Sequence, residues 1–498
     1  SVLVMNTVNS TATAGHASTS SALGTVANWI TTTDHKKIGR LFVGASALWM
    51  LVIVGVGAAL GIERIASDSA IFNLNSVTQL FAMLRTGATF GVLLPLALGF
   101  GIAVVPTQVG SKSLSFARLA MFGFYAWLIA SGLVIGSIIA NGGPGGGNPQ
   151  MVDLYLMGVG VGVVGAIAAS VSLVATVLTS RRTGLSLLEI PMFSWSVFVS
   201  AISIVLTLPV LLGSLIYVAV DHHYARLAFG GNKGIDMWLG WGFSQPQTFL
   251  YVIPAIGLLA ELAPISARIR QPLRGAMLVG VGIVSTAMFG TVTQTSHVFV
   301  WSGSLIDKLK SAIPYAWFNL LPILGVVIVV LLSLLAIQKG KKRLIAPLVP
   351  TFLGVGMILV GMAGNALQMI DSAKLSGSVF EEAAVTYIAY GAMLCAWGAI
   401  AYFGPALWGR KIPDISVIGI GVLGLFATVL AAFPYYLAKD QVAGEVSDFD
   451  YSGPQAVFNA AVSLGHVLML FCLLSAIAVS IKSLSSGETV SATVWSDQ

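Results

Sequence analysis

Charged residues are scarce in this chain: they occupy 9% of its 498 positions, whereas hydrophobic residues occupy 56%. A soluble domain carries about 25% charged residues, and a soluble fold of this size could not bury so much apolar surface. Apolar runs recur along the chain, and many reach the length of about 18 residues that crosses a hydrocarbon core. The composition therefore excludes a soluble globular enzyme and predicts an integral membrane protein.

Cysteine and histidine are also rare. The two cysteines, Cys395 and Cys472, both fall within apolar segments and are too few for a disulfide framework or a thiolate metal site. Of the six histidines, we expect four to lie in tails or loops and two, His297 and His466, to lie in membrane spans. With so few histidines, the chain can supply few imidazole ligands to a metal site.

Apolar runs separated by charged or Pro/Gly-rich breaks predict twelve membrane spans. They lie near residues 39–62, 81–105, 117–140, 154–179, 191–219, 243–264, 275–299, 315–337, 346–370, 382–404, 414–437 and 455–481. The first 30 residues are rich in Ser, Thr, Ala and Gly and lack the pattern of a cleaved signal peptide. We therefore expect a flexible cytoplasmic tail at 1–30, one membrane domain at 31–482 and a cytoplasmic tail at 483–498.

Lysine and arginine predict the orientation. With the N-terminus inside, seventeen of the 25 basic residues fall on the cytoplasmic side and seven, Arg64 among them, fall outside. This asymmetry favours both termini on the cytoplasmic or matrix side. The same basic residues explain the net charge of +6, because they act as topology signals and contact lipid headgroups. The charge therefore does not call for a nucleic-acid partner. The outer loop at 439–453 is acidic; we favour a solvated loop over a docking site for a basic cytochrome c.

Several motifs point to one family. The segment Trp29 to Gly39, WITTTDHKKIG, resembles the start of helix I in cytochrome c oxidase subunit I, which reads Thr/Ser-x-His-Lys-x-Ile-Gly. Further matches follow in order: Gly99-Phe-Gly101, Ser115-Phe-Ala-Arg-Leu119, Phe193-Ser-Trp-Ser-Val197, Thr207-Leu-Pro-Val-Leu211, Gln245-Pro-Gln-Thr-Phe249, Ser296-His297-Val-Phe299 and Ala383-Ala-Val-Thr-Tyr387. The chain thus resembles the heme-copper oxidase subunit I family over residues 29 to 480. The resemblance implies an all-α bundle of twelve membrane helices.

The family's metal ligands can be checked position by position. The resemblance implies two imidazoles on a low-spin heme, one on a second heme and three on a copper ion. Five of these six ligands are replaced, because the matched positions hold Leu84 or Arg85, Gln245, Ser296, Ala384 and Thr386. His297 matches the sixth. We therefore expect no catalytic residue, no metal and no heme; His297 and His466 remain as residual candidates.

Neighbouring positions of the family have changed as well. The proton-channel acid matches Ser113, the propionate-binding arginine pair matches Tyr435-Tyr436, and span VIII holds no lysine. Arg85 leaves two readings open: its side chain extends to the membrane surface, or it pairs inside the bundle as a polar plug. Glu261 is expected at a solvated helix end rather than in a proton relay. Aromatic residues at or beside the former sites could fill the lost volume: Phe249, Phe299, Trp301, Tyr387, Tyr390, Trp397, Tyr435 and Tyr436.

Three functions remain open. The favoured one is a cofactor-free, subunit I-like membrane subunit of a respiratory complex with a structural or assembly role. The second is an ion or small-molecule transporter or channel that reuses the fold, and the third is an oxidase subunit with a non-standard heme site on His297 and His466. The resemblance implies partners among oxidase subunits I, II or III, in a bacterial or archaeal plasma membrane or a mitochondrial inner membrane. Lipid or quinone remains open as an occupant of the vacated pockets.

Overall fold

The computed structural model of the chain describes residues 22–65, 71–295, 297–341, 343–438 and 455–497. Within these residues, twelve helices are long and apolar enough to cross a membrane. We number them in chain order: α1 His35–Glu63, α2 Asn75–Gln108, α3 Ala117–Ile139, α4 Pro149–Thr179, α5 Met192–His223, α6 Gly231–Ala267, α7 Arg274–Thr293, α8 Leu305–Lys339, α9 Leu348–Gln368, α10 Val379–Trp408, α11 Asp414–Leu437 and α12 Gln455–Ser486. The predicted twelve-helix membrane bundle is confirmed.

Four of the twelve helices are not uniformly α-helical. Two contain a π segment, Gly87–Leu93 in α2 and Ala316–Leu320 in α8. A 3-10 turn, Ser285–Ala287, interrupts α7, and α6 consists of the pieces Gly231–Gly234, Ile235–Leu239, Gly240–Phe243, Gln247–Tyr251 and Ile253–Ala267. Irregular backbone of this kind is tolerated in a membrane only where protein or water surrounds it, which agrees with the enclosed positions of α2 and α6.

Short elements complete the described chain. They are the helices Ala22–Ile30 and Val494–Asp497, the 3-10 turns Leu187–Glu189 and Asp371–Ala373, and the strands Arg410–Lys411 and Glu488–Thr489, which pair antiparallel. Part of the predicted N-terminal tail is therefore helical. Residues 1–21 of that tail and the acidic loop at 439–453 lie outside the described residues.

The bundle has two faces, which we name by the chain ends. The terminal face is where α1 begins and α12 ends, and the opposite face is where α1 ends and α12 begins. Side-chain caps define several helix starts: Asp34 accepts a hydrogen bond from the Lys36 amide at the start of α1, and Asn148 accepts one from the Met151 amide before α4. These caps satisfy backbone donors that have no partner within the helix.

Small residues set the packing of neighbouring helices. A Cβ added to Gly165 in α4 would lie 2.6 Å from the carbonyl oxygen of Gly123 in α3, and one added to Gly123 would lie 2.5 Å from that of Gly165. The helices α2, α6 and α10 lie at the centre: 94%, 83% and 89% of their most apolar windows are buried, against 28% in α12. The positions matched to heme and copper ligands therefore fall largely on central helices.

The predicted seventh span was too long. The helix ends at Thr293 because Gln294 adopts a left-handed conformation with φ 52°, and the chain then runs beside α9, where the Phe299 amide donates to the Met369 carbonyl at 2.8 Å. His297 consequently lies in the connection between α7 and α8 and not within a span. This corrects the expectation that two histidines lie in the membrane helices.

Candidate functional site

The positions matched to heme ligands lie on α2 and α10 near the opposite face. Leu84 and Ala384 are buried apolar side chains with exposures of 2% and 0%. The Thr386 hydroxyl is buried and donates to the carbonyl oxygen of Glu382, one turn earlier in its own helix, at 2.9 Å. Ser296 lies outside the described residues. None of these three described side chains offers a nitrogen to a metal.

Side chains fill the space between α1, α2, α10 and α12 in this half of the bundle. The indole of Trp49 packs against α2 where Gly87 and Gly91 leave room for it, and its Nε1 donates to the Ser131 hydroxyl at 3.0 Å. The Tyr390 hydroxyl and His466 Nδ1 form a buried hydrogen bond of 2.7 Å. These contacts agree with the expected aromatic filling at Tyr390.

His466 packs directly against the backbone of α1. A Cβ added to Gly57 would lie 2.5 Å from His466 Cε1 and 2.8 Å from its Nε2. The Nε2 atom is buried and has no hydrogen-bond partner among the described residues. The imidazole ring therefore packs on the backbone of α1 at Gly57.

A buried ion pair lies closer to the opposite face. Arg64 Nη2 is 2.9 Å from Glu382 Oε2, and the two side chains have exposures of 0% and 2%. Arg64 Nη1 donates to the Tyr435 hydroxyl at 3.2 Å, and that hydroxyl donates to Asn459 Oδ1 at 2.8 Å. The Asn459 amide donates to the carbonyl oxygen of Arg64 at 2.7 Å. We call these four residues the Arg64 cluster; they join α10, α11 and α12 to the end of α1.

Arg64, counted among the outer-loop charges, follows α1 at the opposite face, but its side chain is buried rather than solvated. The residue caps the end of α1 and turns into the bundle, where Glu382 neutralises it. Sequence reasoning also missed Glu381 and Glu382. The available signal was the pair of adjacent glutamates at the start of the tenth apolar run, because an unpaired acid in a membrane span is costly and calls for a partner.

Arg85 is paired inside the bundle, which agrees with the second of the two readings of the sequence. Its side chain is 15% exposed, and its guanidinium lies 3.2 Å from Asp236 of α6 and 3.6 Å from Glu381 of α10. The group therefore joins α2, α6 and α10 beside the Arg64 cluster. A layer of paired charges, with two arginines and three carboxylates, thus stands near the positions where the resemblance predicts heme propionates.

Gln245, which matches a copper ligand, and Gln247, two residues further on, both form amide contacts. Gln245 Nε2 donates to the carbonyl oxygen of Asn365 at 3.3 Å, and Gln247 Nε2 donates to the Thr207 and Tyr251 hydroxyls, each at 3.1 Å. The Gln245 and Gln247 side-chain oxygens are buried and have no hydrogen-bond partner among the described residues. These amides link α5, α6 and α9, as expected for polar side chains that hold membrane helices together.

His297 does not join His466. Its Nδ1 lies 3.5 Å from the Thr295 carbonyl oxygen, its ring meets Phe318 edge-on, and its own carbonyl accepts from Asn319 at 3.4 Å. Burial lowers the pKa of His297 below its ordinary value of 6.5. The two residual histidines have entirely different partners, so the structure does not bring them into a common site.

Two aromatic residues lie away from the former sites. Trp301 is 65% exposed, because it follows Phe299 in the connection before α8 rather than lying in a span. Trp397 is buried, but its Nε1 donates to the Val417 carbonyl at the terminal-face end of α11. The expectation that these two fill cofactor space is wrong, whereas Phe249, Tyr387 and Tyr435 are buried near the opposite face.

Glu261 is a buried acid and not a solvated helix end, which corrects the expectation from sequence. Its carboxylate accepts hydrogen bonds from the Gln108 side chain at 2.7 Å, the Phe193 amide at 2.9 Å and the Tyr402 hydroxyl at 3.5 Å. The reason is that α6 ends only at Ala267 and packs against α2 and α10 there. A cavity of about 220 Å³, lined by Thr107, Gln108, Tyr402, Thr493 and Trp495 among others, adjoins this network from the terminal face.

These residues do not fit the cofactors that the motifs imply. No group of three or more His, Cys, Asp or Glu side chains within the described part of the chain is placed to hold a metal ion. Five of the six matched ligand positions carry apolar, hydroxyl, amide or guanidinium groups, and the buried His466 imidazole hydrogen-bonds to Tyr390 and packs on Gly57. We therefore derive no redox step from this site.

Comparison with known sequences settles the family. The profile described as "Cytochrome C and Quinol oxidase polypeptide I" matches residues 37–439. The chain belongs to this family. The predicted membership of the heme-copper oxidase subunit I family is thus confirmed, together with its fold.

Similar proteins come from Nocardia and Streptomyces species. The chain is 24% identical over 494 residues to the probable cytochrome c oxidase subunit 1-beta of Nocardia farcinica, covering 93% of this chain and 81% of that protein. It is 26% identical over 299 residues to a putative cytochrome c oxidase subunit 1-beta of Streptomyces avermitilis, covering 56% of this chain and 53% of that protein. The chain thus spans about half the length of several curated relatives that it matches.

A solved structure shares the architecture. A chain of a heme-copper terminal oxidase dimer, determined by cryo-electron microscopy, superimposes with a TM-score of 0.71 over 92% of this chain and 86% of that chain. The two sequences are 12% identical. At this identity the similarity establishes the subunit I fold alone.

Proposed function

We propose that this chain is a cofactor-free, subunit I-like protein with a structural role in a respiratory membrane complex. The observation that carries the proposal is the replacement of metal ligands by a connected set of buried contacts. The Arg64 cluster, the Arg85 ion pairs and the Tyr390–His466 hydrogen bond occupy the half of the bundle where the family motifs imply hemes. Because these side chains contact one another across the centre of the bundle, the fold does not need a porphyrin to hold its central helices apart.

The expected partners follow from the family, whose members work in multi-subunit complexes. We propose oxidase subunits of type II or III, or a catalytically intact subunit I, because packing surfaces between membrane helices depend on small residues and shape rather than on imidazoles. The proposed role is to stabilise or assemble that complex.

Gentle extraction of the tagged chain from its native membrane tests this role. We expect oxidase subunits to co-purify at a fixed stoichiometry, and deletion of the chain to lower the amount of assembled complex. A tagged, unrelated twelve-helix protein of the same membrane is the control. Normal assembly and activity of the oxidase without this chain would contradict the proposal.

A second candidate function, ion transport, is favoured by one observation. Glu261 is a buried carboxyl group next to a cavity that adjoins the terminal face. In liposomes with an imposed pH gradient, transport through this group would give a proton flux that Glu261→Gln abolishes. Glu189→Gln, at an exposed glutamate of the same face, would keep it. Absence of flux in the unaltered protein would reject this candidate.

A further inference from the structure

Side chains fill the space between α1, α2, α10 and α12 towards the opposite face, which we call the filled half. Towards the terminal face, the same four helices leave an open crevice. This crevice has a volume of about 570 Å³ and lies between α1, α2, α10 and α12 towards the terminal face. Its walls are almost entirely apolar, with Val43, Ala47, Phe100, Ala396, Ala476 and Ile477 among the lining residues. The volume falls within the range of about 300–1,000 Å³ that is usual for small-molecule sites.

The crevice is elongated along the membrane normal. Its lining runs from Arg40 to Met50 on α1 and from Cys472 to Leu484 on α12, which at about 1.5 Å per residue is roughly 15 Å or more along each helix. Small residues keep it open, and a Cβ added to Gly44 would meet no atom within 4 Å. A narrow apolar slot of this shape, within a membrane domain, suits an acyl chain.

Two hydrogen-bond donors at its rim lack acceptors. Arg40 donates through Nη2 to the Leu407 carbonyl at 2.7 Å, and its guanidinium lies 5.9 Å from the ring centre of Trp408. Arg40 Nε and Trp408 Nε1 are buried and have no hydrogen-bond partner among the described residues. Both side chains line the crevice. A buried donor left unpaired is costly, and a phosphate oxygen is an acceptor that arginine binds strongly.

The charge at the rim favours an anion. Lys36 reaches the Ala406 carbonyl at 3.5 Å, and Lys37 lies 5.7 Å from the ring centre of Trp29, another lining residue. The nearest acid on this segment is Asp34, which caps the start of α1. With Arg40, the three cations exceed this single carboxylate, and such basic clusters at a membrane surface attract anionic headgroups.

We propose that the crevice binds one anionic phospholipid, with an acyl chain between α1 and α12 and its phosphate at Arg40 Nε and Trp408 Nε1. The lipid completes the bundle on the side where no protein side chain does. The site is independent of the structural role proposed above, since it requires neither a partner subunit nor the absence of activity.

Lipid analysis of the protein purified from membranes that contain phosphatidylglycerol tests the proposal. We expect about one phosphatidylglycerol retained per chain, counted by native mass spectrometry. The double variant Arg40→Gln/Trp408→Phe should lower retention about tenfold, because a charge-assisted hydrogen bond is lost. Arg118→Gln, at an exposed arginine of the same face that does not line the crevice, should retain the lipid.

Two further measurements separate the alternatives. Ala476→Trp fills the slot and should abolish retention, and added dioleoylphosphatidylglycerol should raise the melting temperature of the delipidated protein more than dioleoylphosphatidylcholine does. Equal retention by wild type and the double variant, or equal effects of the two lipids, would overturn the proposal. An isoprenoid quinone in the crevice would also overturn it. Heme there would overturn both this site and the cofactor-free function.

Discussion

The two halves of the helix set α1, α2, α10 and α12 differ sharply in what fills them. Towards the opposite face, ion pairs and aromatic rings close the space, with Arg64 and Glu382 at 2.9 Å and Tyr390 and His466 at 2.7 Å. Towards the terminal face, the same helices leave a crevice of about 570 Å³. Side-chain contacts are therefore concentrated in the half of the bundle to which the family motifs assign the heme ligands.

The largest expected effect comes from breaking the ion pair of the filled half. Glu382→Gln removes the carboxylate that lies 2.9 Å from the buried Arg64 guanidinium, which should lower the free energy of unfolding by about 3–5 kcal/mol. The double variant Arg64→Leu/Glu382→Leu should lose less than Glu382→Gln alone, because it removes both charges. Unfolding in mixed detergent measures both. A double variant less stable than the single one would show that the charges themselves are not what matters.

The next effect tests how tightly His466 is packed against α1. Gly57→Ala places a Cβ within 3 Å of the imidazole and should cost about 1–3 kcal/mol through overpacking. Gly55→Ala, two residues away, meets no atom within 4 Å and should be neutral or slightly stabilising. Thermal unfolding of the two variants provides the matched comparison. Equal stability would mean that the filled half has more room than the structure shows.

A smaller effect is expected at His297, outside the filled half. Burial lowers the pKa of this histidine, so the unfolded chain binds a proton at a higher pH than the folded chain does. Its contribution is therefore present above pH 6.5 and is lost as the pH falls towards the folded-state pKa. Wild type should lose slightly more stability than His297→Ala between pH 7.5 and 5.

His297 also distinguishes a structural from a catalytic account. Because it lies in the connection before α8 and shares no partner with His466, His297→Ala should leave any oxidase activity of the host complex intact. The measurement is dioxygen uptake by the purified complex. Normal assembly with lost dioxygen reduction would require a redox site that involves this residue.

Orientation can be tested on the same bundle. The split of basic residues predicts that the terminal face is cytoplasmic. Single cysteines at Ser113, on the terminal face, and Ser302, on the opposite face, are both exposed, and the natural Cys395 and Cys472 are buried. A membrane-impermeant reagent added to intact cells should label only the Ser302→Cys variant. The reverse pattern would invert the predicted topology.

The fold could be predicted from sequence because it depends on repeated, strong signals. Each apolar run is long enough to span a membrane whatever its neighbours are, and the motif around His35 marks the start of α1. The site could be predicted only in part. Absent imidazoles at Gln245, Ala384 and Thr386 are visible in the sequence, but the partners that replace them are not.

The missed contacts are long-range and polar. Arg64 and Glu382 are 318 positions apart, and only the fold shows that the end of α1 meets the start of α10. Glu261 was expected to be solvated because it lies near the end of an apolar run, yet neighbouring helices supply three donors there. Polar residues near the ends of membrane runs are ambiguous from sequence, since one helical turn separates a solvated group from a buried one.

The heme and copper content of the purified chain tests whether the protein is free of cofactors. The purified chain would be measured by metal analysis and by a reduced-minus-oxidised absorption spectrum, with an intact subunit I prepared in parallel as the control. We expect no heme absorption and no copper above background, because side chains fill the half of the bundle that the family motifs assign to cofactors. One mole of heme per mole of chain would contradict it.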